Sequence, residues 1–132
     1  LGKLSYVHSM TDVTGFGLAG HLLELCDGAG LSAQITKSAL PLFDFVPRYL
    51  ELNCIPGGTN RNWKTYGHHF QLVDSDDYKI LADPQTSGGL LVAIDPEYQS
   101  EFSDFLATND LNLAPIGKLI ARSKDPIIKV IR

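Results

Sequence analysis

Cysteine, methionine and tryptophan are nearly missing from these 132 residues, which hold two, one and one of them. Two thiols, Cys26 and Cys54, cannot build a disulfide scaffold, so the fold must rest on an apolar core and a reducing, cytoplasmic setting is expected. No apolar run approaches the roughly 18 residues that span a bilayer, and no basic-then-apolar segment opens the chain, so no membrane partner is expected. Positive charge is short as well: eleven Lys and Arg stand against fifteen Asp and Glu, a net charge of −4. A nucleic-acid binder would carry a basic face, and none is expected here. Internal repeats and low-complexity linkers are also absent. The only methionine is Met10 and the chain starts at Leu1, which gives the expectation of one domain from a longer protein.

What the chain does have is enough apolar matter to fold. Hydrophobic residues make up 44% and charged residues 20%, which excludes the composition of disordered chains. Residues 1–132 are expected to form a single domain. Leu4 to Val7 read as a strand, and Thr11 and Asp12 are N-cap types before a helix whose stripe is Leu18, Leu22, Leu25 and Cys26. Gly28 and Gly30 supply its stop. Leu31, Ala33 and Ile35 alternate with polar residues, the period of a half-buried strand.

Ala39 to Leu52 suits a helix that Pro47 breaks or kinks. Pro56 to Asn62 has the composition of a loop, Trp63 to Tyr78 is irregular, and Asp83 to Gly89 is a second Gly-rich loop. Leu90 to Ile94 reads as a central strand. Asp95 caps a helix with Pro96 at its first position and a stripe at Tyr98, Phe102, Phe105 and Leu106. Ala114–Ile120 and Ile127–Ile131 close the fold. Interleaved helices and strands predict an α+β domain, three-layer α/β/α with a mixed sheet.

Several patterns bear on chemistry. Gly15-Phe16-Gly17-Leu18-Ala19-Gly20 has the spacing of a dinucleotide loop, but Asp12 would oppose a pyrophosphate and no acid ends the next strand for a ribose. Small residues on one helix face, allowing close packing, fit better. Asp12 has two readings: a helix cap, or a Mg²⁺ ligand, since hard cations favour carboxylate oxygen. The two Gly-rich segments offer backbone N–H groups, with Thr59, Asn62, Thr86 and Ser87 as further donors for an anion, though neither is a Walker A loop. His21 reads as a core or hydrogen-bonding histidine. His68 and His69, adjacent in extended chain, point apart. Both cysteines read as buried thiols.

Four segments together resemble the C-terminal domain of the selenophosphate synthetase (selenide, water dikinase) family. They are Thr11-Asp12-Val13-Thr14-Gly15-Phe16-Gly17-Leu18 with Gly20-His21; Pro56-Gly57-Gly58-Thr59 with Arg61-Asn62; Asp83-Pro84-Gln85-Thr86-Ser87-Gly88-Gly89-Leu90-Leu91; and Ile116-Gly117. Order and intervals agree over about residues 8–120. The resemblance implies membership of the aminoimidazole ribonucleotide synthetase superfamily and a part in making selenophosphate, AMP and phosphate from ATP, selenide and water. It implies a Mg²⁺-ATP site shared with an N-terminal domain of the same polypeptide, which holds the reactive Cys or selenocysteine and an essential Lys, and a homodimer as the whole enzyme. It assigns Asp12 to the metal. Thr11, Thr14, Gly57, Gly58, Thr59, Asn62, Gln85, Thr86, Ser87 and Gly88 fall at the nucleotide, phosphate or interdomain face, with no catalytic residue in these 132. Another superfamily member, such as aminoimidazole ribonucleotide synthetase or the hydrogenase-maturation dehydratase, and a binding module without chemistry remain the alternatives.

Overall fold

The chain begins with turns, and its first strand, β1 (Val7–Asp12), lies C-terminal to the one expected at Leu4–Val7. The computed structural model describes residues 1–132. β1 runs antiparallel to β4 (Leu90–Ile94), with Met10 opposite Val92 and Asp12 opposite Leu90. Thr11 and Asp12 are therefore ladder residues and cap no helix. The following helix, α1 (Gly17–Ala29), has Phe16 at its N-cap and no side-chain cap at all.

Of the stripe expected on α1, Leu22 and Cys26 are buried and Leu18 and Leu25 half-buried, and Ala19 and Leu23 are buried beside them. The helix ends at Gly30, whose φ of 65° is the left-handed conformation that glycine adopts without steric penalty and that returns its N–H to the last carbonyls. β2 (Leu31–Thr36) then sends Ala33 and Ile35 to the same core. β2 is the hub of a mixed four-stranded sheet in the order β3-β6-β2-β5. It is antiparallel to β5 (Gly117–Ala121) and parallel to β6 (Ile128–Ile131), which is in turn parallel to the short β3 (Phe70–Gln71).

The α+β class with a mixed sheet is as expected, and the layers are shared between two sheets. α1 packs on β2 and against α3 (Gly57–Tyr66) and the single turn α4 (Tyr78–Leu81). One cluster joins Leu22, Leu23, Cys26, Ala33, Ile35, Ile127 and Ile128; a second joins Ala19, Leu81, Ala82 and Val130. The outward positions of the same sheet, Lys118, Ile120 and Lys129, are exposed. α5 (Gln99–Thr108) instead meets Tyr6 at the entry to β1, through Phe102 edge-on.

Four further expectations are corrected. Residues 39–52 form no continuous helix: a 3-10 turn at Lys37–Ala39 is followed by a loop, and α2 (Val46–Glu51) starts beside Pro47. Proline lacks only an N–H that the first helical turn leaves unpaired anyway, so Pro47 opens the helix where it was expected to break one. Pro56–Asn62 is not a loop, because Pro56 is the N-cap of α3 and the glycines occupy its first turn. Trp63–Tyr66 continues α3, so the irregular stretch is shorter than expected. β4 is not central: it pairs with β1 alone, and Leu90 is 59% exposed. Asp95 does cap, its carboxylate accepting from Glu97 N–H at 3.0 Å ahead of the turn that leads into α5.

Candidate functional site

Asp12 closes β1 with its side chain exposed. Its carbonyl accepts from the Thr11 hydroxyl at 3.3 Å, whereas its carboxylate enters no hydrogen bond or ion pair within the chain. An ionised carboxylate without a partner, at the end of a strand, is free to bind something from outside.

The segment 83–89 is seated against the turn after Asp12. Val13 N–H donates to the Gly89 carbonyl at 2.9 Å and Gln85 N–H to the Thr14 carbonyl at 3.0 Å. At Gly88 contact is so close that a Cβ would lie 1.8 Å from the Val13 carbonyl oxygen. Only a residue without a side chain allows this approach. Thr86 and Ser87 are exposed at the loop tip, and Gln85 is turned back onto the Asp83 carboxylate, to which its side-chain amide donates.

α3 joins the same place from a third direction. Its first turn lies on Pro84, whose Cγ would be 2.8 Å from a Cβ on Gly58. The Asn62 amide donates twice, to the Gly15 carbonyl at 2.9 Å and to the Ala82 carbonyl at 3.0 Å. Both of its hydrogens are thereby used on backbone, so Asn62 acts as a clamp between the turn after β1 and the end of α4. Thr59 is fully buried and has no partner of normal geometry. Burial pushes the Asp83 carboxyl above the usual carboxylate range, while Gln85 and then Thr59 pull the other way. Gly57 is exposed and Gly58 half-buried at the positive end of the helix, with the Arg61 guanidinium folded back over them.

The structure thus gathers the three segments that were far apart in sequence. The turn after Asp12 meets Gln85, Gly88 and Gly89, Pro84 meets Gly58, and Asn62 ties that turn to the end of α4, with Thr59 buried behind. Two charged groups were not singled out by residue type alone: Arg61 at the α3 N-terminus and the half-buried Asp83. Their signal is positional and appears only once 56–62 is known to be helical.

The G-x-G-x-x-G segment does follow a strand and enter a helix, yet β1 pairs antiparallel with β4 and not in a βαβ unit with β2. Its glycines serve packing: a Cβ on Gly17 would lie 2.8 Å from the Ala82 backbone, and one on Gly20 would meet Tyr66. His68 and His69 do not point apart as expected. A 3-10 turn brings their ring centroids to 3.9 Å. Cys26 is buried, with its thiol pushed up to about 11 mainly by that burial, whereas Cys54 is exposed and corrects the reading of two buried thiols.

No group of three or more His, Cys, Asp or Glu side chains gathers to hold a metal ion. Asp12 fits a hard divalent ion as one oxygen ligand, and the remaining ligands would have to come from water, substrate or another part of the protein. No helix is long and apolar enough to cross a membrane.

Comparison with known proteins agrees with this picture. The family described as "AIR synthase related protein, C-terminal domain" matches residues 2–129. A selenide, water dikinase of Aeromonas hydrophila is 52% identical over 130 residues, 98% of this chain and 38% of the relative. One from Pseudomonas putida is 51% identical over 126 residues, 96% of this chain and 37% of the relative. The chain therefore spans well under half the length of these relatives. Among solved structures, thiamine-monophosphate kinase from Stenotrophomonas maltophilia matches with a TM-score of 0.56 over 96% of this chain and 32% of that one. At 17% identity that match speaks to the fold alone.

Proposed function

Because the chain belongs to the family of AIR synthase related protein C-terminal domains, we propose that it forms one wall of the ATP site of a selenide, water dikinase. In the proposed reaction ATP, hydrogen selenide and water give selenophosphate, AMP and phosphate. The γ-phosphoryl group goes to selenium, and water supplies the oxygen that releases the β-phosphate from AMP. The N-terminal part of the same polypeptide would provide the reactive groups and the contacts of a homodimer. These 132 residues supply none of the nucleophiles. The expected setting is the cytoplasm.

The observation that carries this reading is the unpaired, exposed Asp12 beside the turn that seats the 83–89 segment, which itself rests on the start of α3 through Pro84 and Gly58. Phosphoryl transfer is governed by positioning and charge neutralisation more than by covalent work from side chains. A domain of net charge −4 by itself repels a triphosphate. Asp12 would hold Mg²⁺, whose charge offsets that repulsion and draws electron density from the phosphoryl oxygens. Arg61 and the free N–H groups of Gly57 and Gly58 at the α3 N-terminus suit phosphate oxygens directly. Thr11, Thr14, Gln85, Thr86, Ser87 and Gly88 line the remaining face towards nucleotide or neighbouring domain, with Thr59 and Asn62 keeping that face in shape.

The test uses the full-length protein under anaerobic conditions. With ATP, Mg²⁺ and selenide it is expected to release AMP and phosphate in equal amounts, with a new phosphorus resonance from selenophosphate. Nucleotide turnover that is indifferent to selenide, or that stops at ADP, contradicts the assignment.

A further inference from the structure

Behind Thr14, in the turn that follows Asp12, two further side chains line up: His21 and Glu24. His21, on the first turns of α1, is only 7% exposed. Its Nε2 lies 3.1 Å from the Thr14 hydroxyl oxygen, and its Nδ1 lies 3.4 Å from the carboxylate of Glu24, one helical turn further on. The Phe16 ring, 5.6 Å away between centroids, covers the imidazole. Nδ1 has no hydrogen-bond partner, so Glu24 faces it as a nearby charge and not as a hydrogen-bond acceptor.

The charge of Glu24 bears on which nitrogen carries the hydrogen. A neutral imidazole has one N–H and one lone pair, and a carboxylate beside Nδ1 attracts the N–H and repels the lone pair. Nε2 is then the acceptor, so the Thr14 hydroxyl must donate to it. A threonine has a single hydroxyl hydrogen, and once this is committed inward its oxygen can only accept from elsewhere. Thr14 is half-buried in the turn after Asp12, with its own carbonyl already receiving Gln85 N–H and Gly17 N–H.

We propose that His21 is a positioning residue: held in the Nδ1–H form by Glu24, it fixes the Thr14 hydroxyl as an acceptor facing the cleft between Asp12 and the 85–88 loop. The proposal rests on the reading of that cleft as a polyphosphate site and refines it. A threonine turned this way takes a hydrogen from water or from a hydroxyl, and it offers none to a phosphate oxygen. Phosphate contact then falls to Arg61 and to the backbone N–H groups of the α3 N-terminus.

Two measurements on the full-length protein test this. In the first, histidine rings are labelled with ¹⁵N, and the His21 signal is identified by its loss in His21→Gln. Long-range proton–nitrogen correlations should then show hydrogen on Nδ1 and none on Nε2. Hydrogen on Nε2 overturns the proposal, and this outcome does not depend on any activity. In the second, selenide-dependent AMP release is compared between variants. Thr14→Val should lose about fivefold, the scale of one hydrogen bond. Thr14→Ser and His21→Gln, which keep a hydroxyl and an acceptor, should recover most of it. His21→Leu combined with Thr14→Val should cost no more than either change alone, because both break the same contact. Multiplying losses, or a serine no better than valine, overturn the proposal. Absence of selenide-dependent AMP release from the unmodified protein would instead contradict the proposed function and leave the tautomer result standing.

Discussion

Single residues carry most of the chemistry here, and their meaning depends on what occupies their neighbours. Asp12 and Asp83 are both carboxylates beside the same cleft, yet the first is exposed and unpaired while the second is partly buried and held above the usual carboxylate range. A carboxyl whose pKa rises on folding weakens the folded state once it is ionised. That penalty is complete above the folded pKa and fades as pH falls towards the lower, unfolded value. Asp83→Asn, which still accepts from Gln85, should therefore raise the urea midpoint at pH 7 and make little difference near pH 4. A variant that loses stability at pH 7, or whose gain is the same at both pH values, would show that ionised Asp83 is not penalised. At this scale the sequence was partly legible. Thr and Asp at 11 and 12 are good cap types, which suggested a cap, but side-chain type does not reveal that β4 would hold them extended.

Elements explain why three distant segments form one surface. α1 was readable in advance because its stripe and its terminal Gly30 agree, and β2 and α5 were readable for similar reasons: one period each, with Gly or Asp at the boundary. β1 was harder, since Val7–Asp12 is mostly polar and exposed and shows no buried alternation. The start of α3 was hidden by its composition. Gly57 and Gly58 look like a loop, and the reason for a small residue appears only in the contact of Gly58 with Pro84. The resemblance to a known family linked these segments where local periodicity could not. The tightest joint between elements is Gly88 against the Val13 carbonyl. Gly88→Ala must push these two backbones apart, at a cost of about 1–3 kcal/mol typical of overpacking, and should also shift Asp12 relative to the 83–89 segment. A urea titration reads the first effect and the Mg²⁺ dependence of turnover the second. An alanine that leaves both unaltered would mean the loop is not held by this contact.

On the scale of the whole molecule, the chain matches 38% of its Aeromonas relative and presents an apolar ridge along 42–52. Phe43 is 73% exposed and stacks on Phe45, which meets Tyr49 edge-on, with Leu52 nearby also exposed. Patches of this kind drive association when nothing covers them. The 132-residue chain on its own should therefore self-associate in sedimentation experiments, and replacing Phe43 and Phe45 with serine should return it to monomer. It should also release no AMP from ATP and selenide. Monomeric behaviour of the unmodified chain would argue that the ridge is tolerated in water, and turnover by the chain alone would contradict its role as one wall of a shared site.

The proposed ATP site depends above all on the carboxylate at position 12. Its most direct test is Asp12→Asn in the full-length protein, with selenide-dependent AMP release followed across a Mg²⁺ titration. The side chain is exposed and bonded to nothing in the chain, so the variant should fold normally. Turnover should fall by about a hundredfold, the scale of losing one charge-stabilising group, and the Mg²⁺ requirement should rise. An asparagine enzyme that matches the original at every Mg²⁺ concentration would contradict the assignment of Asp12 to the metal.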